Sequence, residues 1–554
     1  MASGVSGNIN QATNLGPKTA ASTHPLYLLF RPVWELLAHV REGTGGFLDG
    51  QFLQAHPREW LDHTIKVTSQ STAVDGGVED RWVVNPNPKQ PSPKLLARRK
   101  LARYDNVASA ILETKKSLLF REQPVRRVGA SDGQDPTELE QWWQDVDGED
   151  CHIDDAMPGW WDIAATFGHC GLYMDLGGPT DPQPMTAAEE AQPYVRVYTP
   201  LDILDWRRND EGRLVWIKLL EATQAVPTTI DARTIITYRV RIVDDMSWRL
   251  YDYKTGRFID TGDHNLGVVP FVWLFTKRRA LLPDIGESVV GDPHNYLALY
   301  NCDSEVRELL RTQTFSVVNV ALGTGDHATS VENAQAMIGQ QTGSMNLLFT
   351  PGPAHMLSGE PQNVESYHKE IERIKRAIYR ETGVRWETDS KDAEAKGSLQ
   401  LKRDEMETRL AGYADECEQT EYALAKLWYR WRYGPDQAET KFENDLVQIN
   451  YPDRFTQTPF QDVLDQGLAA QTLGMPSIFL KELRKALIAK FDGMANLSPE
   501  VLSEINDAID NAPDDPTPQE KQRQKMALLA ASVKPGGDRP PTFGGSNAAD
   551  STAA

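Results

Sequence analysis

The chain has 554 residues, of which 40% are hydrophobic and 25% charged. A prior of about 150 residues per domain gives three or four structural units, and the composition excludes wholesale disorder. With 58 Lys and Arg against 79 Asp and Glu the formal charge is −21, so the bulk field repels nucleic acid unless cations cluster locally. No apolar run reaches the roughly 20 residues that span a bilayer. The run Pro25 to Phe30 is cut by Arg31 and Pro32 and lacks the flanks of a signal peptide. Four cysteines are too few for a disulfide scaffold and fit a reducing cytosol. The expectation is a large, acidic, soluble, intracellular protein.

Residues 1–22, small and polar, read as a flexible arm. From Pro25 to about Ala130 the pattern is mainly helical, with Tyr104, Val107, Ile111, Leu112 and Leu118 at helical spacing and a long loop around 72–93. A Trp-rich helical block is expected over 137–167. Short β-branched and aromatic runs then follow at 168–175, 194–198, 214–220, 234–243, 248–253 and 268–275, which predicts a meandering antiparallel sheet region. Helices return after Pro283. Asp292 as N-cap and Pro293 at the first position open a helix over 292–313. Residues 314–361 read as strand (315–322), short helix (330–340) and strand (344–349). Beyond them come a helix over 364–381, a polar loop over 383–396, a long helix over 398–433 and helices with Gly/Pro breaks over 460–510. A short helix over 519–533 and a flexible tail end the chain.

Motifs for catalysis are absent: there is no P-loop, H-E-x-x-H or G-x-S-x-G, and Gly323 to Ser330 has glycines without a lysine, as a plain turn does. Cys151-His152 and His169-Cys170 are chemically suited to zinc, but adjacent residues point apart and do not converge four ligands easily. Asp154, Asp155 and Asp162 suggest magnesium only as neighbouring acids in an acidic chain do. No catalytic residue, cofactor or metal is expected.

The helix at 364–381 carries an apolar stripe, Tyr367, Ile371, Ile374 and Ile378. Lys369, Arg373, Arg376 and Arg380 form a basic stripe opposite it. Glu365 and Glu372, one turn before Lys369 and Arg376, partly neutralise that stripe. Its functional reading is a band that touches phosphates without reading sequence, and its plain reading is a solvated face. The long helix places Met406, Leu410, Tyr413, Cys417, Leu424, Trp428 and Trp431 on one face, as core packing requires. Between Arg311 and Lys369 there is no Lys or Arg at all. That surface suits strand pairing and partner docking rather than a polyanion, and its place between two helices puts it at the tip of a helical hairpin.

The order of these elements resembles the portal proteins of tailed bacteriophages. Tyr104 to Lys116 through Pro124 resembles the helix and strand that open the family's wing. Phe167 to Asp175 is similar to its strand "G-x-x-x-L-x-x-D", and Tyr198 to Trp206 to its "P-x-x-I-x-x-W" element. Gly267 to Val272 resembles the short strand before the stem, and Gly397 to Arg409 the start of the long helix. The resemblance covers roughly residues 100–510.

The resemblance implies an α+β, mainly helical portal fold. Its parts are an arm (1–22), wing (23–283), first stem helix (284–313), α/β clip (314–361), second stem helix (362–382), channel loop (383–397), long helix and return to the wing (398–455), helical crown (456–512) and tail (513–554). It implies a ring, usually of twelve copies, at one capsid vertex of a virion assembled in the host cytoplasm. Double-stranded DNA passes through this channel non-specifically during packaging and ejection. The partners it implies are the large terminase, the major capsid or scaffolding protein, and head-tail adaptor or tail proteins, with no membrane. Lys369, Arg373, Arg376 and Arg380, with Arg385, Lys391 and Lys396 of the loop, are assigned to the lumen. Phe315, Val317, Val318, Val320, Leu347, Leu348 and Phe349 are assigned to the clip interface. The loop over 385–396 has three cations against four acids, so it is not expected to grip DNA strongly. Two alternatives from other classes are a metal-dependent nuclease using Cys151, His152, Asp154 and Asp155, and a monomeric protein-binding scaffold or adaptor.

Overall fold

In the computed structural model the chain divides into two units, Met1–Phe455 and Thr456–Ala554. The structure describes residues 15, 17–56, 59–61, 64–70, 78–84, 89–129, 137–176, 192–225, 235–314, 317–321, 346–350, 356–357, 361–384, 396–452, 455, 477–489, 505 and 507–511.

The first unit opens with α1 (Pro17–Ala20) and α2 (Pro25–Glu42). The end of the expected flexible arm is tied down: the Lys218 ammonium donates to the carbonyls of Thr19 (2.8 Å) and Ser22 (2.9 Å). α2 starts where Pro25 supplies a helical φ and His24 accepts from the Leu26 N–H, and it ends at Gly43 with φ 65°. Tyr27, Trp34, Leu37 and Val40 form its buried face. After α3 (Gly46–Asp49) the structure departs from the expected helix and loop. β1 (Thr64–Gln70) and β2 (Val78–Val84) pair antiparallel from Thr64↔Val84 to Gln70↔Val78. Thr64, Ile65, Val67, Thr68, Val83 and Val84 are β-branched, and that preference outweighs the polar residues between them.

α4 (Pro93–Leu101) and α5 (Val107–Leu119) follow, α5 capped by Asn106, whose side chain accepts from Ser109 N at 3.0 Å. β3 (Val125–Arg127) leads to α6 (Glu138–Gln144) and α7 (Ile153–Phe167). The single Trp-rich block expected here is two helices. Asp145 Oδ1 gathers the N–H groups of Gly148 and Asp150 into a turn where both residues have positive φ. Trp142, Trp143, Trp160 and Trp161 are all buried.

The β region contains two antiparallel sheets. β4 (His169–Leu176), β5 (Pro193–Tyr198) and the later β11 (Phe271–Phe275) make a three-stranded sheet in the order β11-β4-β5. β6 (Ile203–Arg208), β7 (Leu214–Ala225), β8 (Ile235–Asp244), β9 (Ser247–Asp252) and β10 (Phe258–Asp263) form the expected meander, β10-β9-β8-β7-β6. The sequence pattern missed β6 and β10. Register shifts break the alternation between Ile203 and Asp205 in β6 and between Phe258 and Asp260 in β10. β4 is buried on both faces from His169 to Met174, because α7 packs over it. Cys170, Leu172, Trp161, Leu274, Cys417 and Trp428 belong to one continuous core that joins the sheets to the helices.

α8 (Pro293–Thr314) is followed by β12 (Val317–Ala321), β13 (Asn346–Thr350) and β14 (Met356–Leu357). Then come α9 (Pro361–Thr382), α10 (Lys396–Tyr433), α11 (Pro435–Asn444) and β15 (Gln448–Asn450), which pairs with β3. At about 1.5 Å per residue, the 38 residues of α10 extend roughly 57 Å. Among the described residues of the second unit, α12 (Ser477–Ala489) is held to residue 510 by Lys485, 2.7 Å from the Asp510 carboxylate. The helices expected over 330–340 and 519–533 lie outside the described residues. The fold is a mixed one, α-helical with separate sheets whose described strand pairs are antiparallel except β12 with β13. No described helix is long and apolar enough to cross a membrane.

Candidate functional site

α8 and α9 run side by side and antiparallel, as the hairpin expectation requires. At their base the Asn295 amide and the Asp292 N–H both donate to the Glu381 carboxylate, each at 3.3 Å. Farther along, Tyr367 hydrogen-bonds Glu305, which raises the phenol's pKa. Asp292 caps α8 by accepting from His294 N at 3.0 Å. The hairpin is braced from the N-terminal helices. Arg98 of α4 reaches Ser304 (3.1 Å), Glu305 (3.5 Å) and Glu59 (2.9 Å), and the Tyr300 hydroxyl donates to the Phe47 carbonyl.

Between the far ends of the two helices, in sequence, lies a three-stranded sheet in the order β13-β12-β14. Val317, Val318 and Val320 sit in its central strand. Leu347 pairs with Val318, Leu348 with Asn319 and Phe349 with Val320, in parallel; Met356 of β14 opposes Val318 antiparallel. Parallel neighbours require a crossover connection rather than a tight turn; residues 322–345, which separate the two strands in sequence, lie outside the described residues. Phe315 lies outside the described residues. The strands expected over 315–322 and 344–349 correspond to Val317–Ala321 and Asn346–Thr350, and the third strand, Met356–Leu357, was not among the expected elements.

The two stripes of α9 separate as their spacing dictates. Ile374 and Ile378 are buried, and Tyr367 and Ile371 are partly covered. On the other side Lys369, Arg373, Arg376 and Arg380 are exposed. Lys369 pairs with Glu365 at 2.8 Å and Arg376 with Glu372 at 3.8 Å, as expected from the one-turn spacing. Arg373 also pairs, with Glu370 at 2.5 Å, a partner three residues back that the sequence reading overlooked. Among the described residues Arg380 forms no ion pair. Three of the four cations thus carry a local counter-charge, and the stripe is a weakly rather than strongly positive band. Arg385 and Lys391 lie outside the described residues, and Lys396 begins α10.

The residues of the nuclease alternative are occupied otherwise. His152 caps α7 by accepting from the Asp154 N–H (3.0 Å), and Asp154 binds Arg126. Asp162 accepts from Arg41 at 2.9 Å, and the Cys151 thiol lies 3.7 Å from the His152 carbonyl. His169 and Cys170 are buried in the core: burial pushes the imidazole down to about 3, with Asp284 opposing, and raises the thiol. No group of three or more His, Cys, Asp or Glu side chains among the described residues is placed to hold a metal.

No family model and no curated protein matches the chain. Among solved structures it is similar to one described as "Neck of empty GTA particle computed with C6 symmetry". That likeness has a TM-score of 0.37 and 10% identity, and covers 74% of this chain and 90% of that one.

Two features escaped sequence reasoning. One is Glu381, whose role is set by a partner 86 residues away. The other is Lys115, the only lysine or arginine on the buried face of α5 alongside Val107, Ile111, Leu112 and Leu119. Its signal was present in the sequence: a cation at a position where the helical period demands an apolar side chain.

Proposed function

We propose that this chain is a portal-type subunit, a non-enzymatic component of a ring that stands at one capsid vertex and conducts double-stranded DNA. The observation that carries the reading is the antiparallel α8–α9 hairpin with a small three-stranded sheet inserted between its far ends. This is the stem-and-clip order that the sequence resemblance implies. In this reading Lys369, Arg373, Arg376 and Arg380 face the lumen, as do Arg385, Lys391 and Lys396, which follow them in the sequence. The β12–β13 strands, from Val317 to Phe349, meet neighbouring subunits, the large terminase and later the head-tail adaptor or tail proteins. The capsid or scaffolding protein holds the ring in the shell.

The electrostatics suit transport. A channel that grips phosphates tightly must break each contact to move the duplex. A net charge of −21 per subunit, repeated around a ring, keeps the polyanion mobile. Cations that already hold Glu365, Glu370 and Glu372 give a weak, salt-sensitive, sequence-independent guide.

Mass measurement and negative-stain imaging of the purified full chain under assembly conditions test this reading. The expected result is a ring with a central hole, near twelve times 62.0 kDa. A persistent monomer overturns it and favours a protein-binding scaffold instead.

A further inference from the structure

Beneath the base of the hairpin, α5, α10, the end of α9 and the segment 276–289 enclose a cleft of about 600 Å³. Lys115 of α5 and Tyr413 of α10 form part of its wall. Lys115 is 2% exposed, and its ammonium makes no hydrogen bond with any described residue. It lies over the Tyr413 ring, 5.6 Å from its centroid.

The charges around it make the position more unusual. Burial pushes the Lys115 amine down to about 7, and the like charge of Arg409 adds to that effect. Arg409 is fixed in place, donating to the Glu381 carbonyl at 2.9 Å and to Glu405 at 2.8 Å. Two further cations, Lys277 and Arg278, line the same cleft. Its acids are turned to other work. Glu287 binds Lys277 at 2.7 Å, and Glu381 receives Asp292 and Asn295. Glu416 is raised by burial, an effect that Arg278 opposes. No carboxylate among the described residues therefore neutralises Lys115, and a buried unpaired ammonium is costly unless an anion joins it.

We propose that this cleft binds a small oxyanion of the phosphate or sulfate type, held between Lys115 and Arg409. The site needs nothing from the portal reading and stands or falls apart from it. Binding fixes the proton on Lys115: at pH 8 the empty site is mostly the neutral amine, and the loaded site is the ammonium, so one proton is taken up from solution with each anion. The enclosed position of Lys115 favours a free ion over a phosphate of a duplex backbone.

Sulfate, whose charge does not change near neutrality, is the probe for the pH series, titrated calorimetrically into the full chain in two buffers of different ionisation heat. The expected result is one site per chain, uptake approaching one proton at pH 8, and affinity falling about tenfold per pH unit above pH ~7.5. Inorganic phosphate should displace sulfate. Displacement by a short DNA duplex as well would assign the oxyanion to nucleic acid, and failure of the duplex to compete would assign it to a free ion. Lys115→Met, which keeps the length and removes the buried amine, should fold and lose sulfate binding at every pH. Absence of sulfate binding to the unaltered chain, binding without proton uptake, or equal affinity in a folded Lys115→Met variant would each overturn the proposal.

Discussion

The side-chain amide of Asn295 lies 3.3 Å from both carboxylate oxygens of Glu381, closing the base of the α8–α9 hairpin. The same carboxylate accepts from the Asp292 N–H at the start of α8. Truncation in Glu381→Ala leaves both donors to water at an exposed site. The expected cost is about 1 kcal/mol, seen as a lower denaturant midpoint. Faster hydrogen exchange should appear in the first turn of α8, while its middle, braced by Arg98 and Tyr300, stays protected. Uniform loosening along the whole helix would show that Glu381 is not the local tie.

Gly168 and Gly286 meet backbone to backbone. Gly168 has φ 98° at the end of α7, and a Cβ on Gly286 would lie 1.9 Å from the Gly168 carbonyl oxygen. Neither partner is a flexible side-chain end, so Gly286→Ala must displace main chain. A loss of about 3 kcal/mol or more is expected. Gly159, mid-helix in α7, is the control: a Cβ there meets nothing within 4 Å, and Gly159→Ala should stabilise by about 0.5–1 kcal/mol. Thermal melts of the two variants should move in opposite directions.

Arg126 joins β3 to α7 and α10. It reaches Glu421 at 2.7 Å and Asp154 at 2.5 Å, and Glu421 also accepts from the Tyr451 hydroxyl. Arg126 and Glu421 are both buried, at 7% and 2% exposure. Replacing the cation in Arg126→Met strands Glu421 in the core, at an expected cost of about 3–5 kcal/mol. Removing the acid too, in Arg126→Met/Glu421→Leu, should recover much of that loss. A double variant as unstable as the single one would mean that packing, not charge, sets the penalty.

The long-period features of this fold were legible in the sequence because they depend on spacing alone. The Ile374–Ile378 face of α9, the meander from β7 to β9 and the Asp292–Pro293 helix start all follow from local chemistry. The β1–β2 hairpin was hidden because its second strand, Val78–Val84, sits within a stretch rich in Gly, Asn, Pro and Ser that reads as a loop. The third strand of the inserted sheet, Met356–Leu357, is only two residues long. Of the candidate site, the basic stripe was readable but its strength was not. The Glu370–Arg373 pair has three-residue spacing, and only the geometry shows which acid each arginine takes. Lys115 shows the opposite failure: the pattern marked it as anomalous, but only the surrounding elements reveal that no acid answers it.

His169 is caged by Trp34, Trp273 and Phe275, and its Nδ1 accepts from the Gly286 N–H at 3.2 Å. Burial pushes its pKa down to about 3, with Asp284 opposing. In the unfolded chain the imidazole takes up a proton near pH ~6.5. The unfolded state therefore binds more protons between those values, and stability falls as pH drops from about 6.5 toward 3, by up to about 1.4 kcal/mol per unit. His169→Gln keeps an acceptor for Gly286 without a titrating group. Its stability should decline less steeply over that window in denaturant titrations at a series of pH values. Equal slopes would mean that other groups govern the acid limb.

Charge reversal of Arg373 and Arg376 separates the structural from the electrostatic role of the α9 stripe. Both side chains are exposed and paired within their own helix, so Arg373→Glu/Arg376→Glu places like charges beside Glu370 and Glu372. Each such pair costs about 0.2–0.5 kcal/mol, too little to unfold a helix whose opposite face buries Ile374 and Ile378. The variant should therefore melt within a few degrees of the parent and assemble to the same mass. If the stripe guides DNA, affinity for a non-specific duplex should fall, and the salt dependence should flatten by about one unit of slope per cation lost. Unchanged affinity and slope in an assembled variant would show that this face of α9 does not meet the duplex.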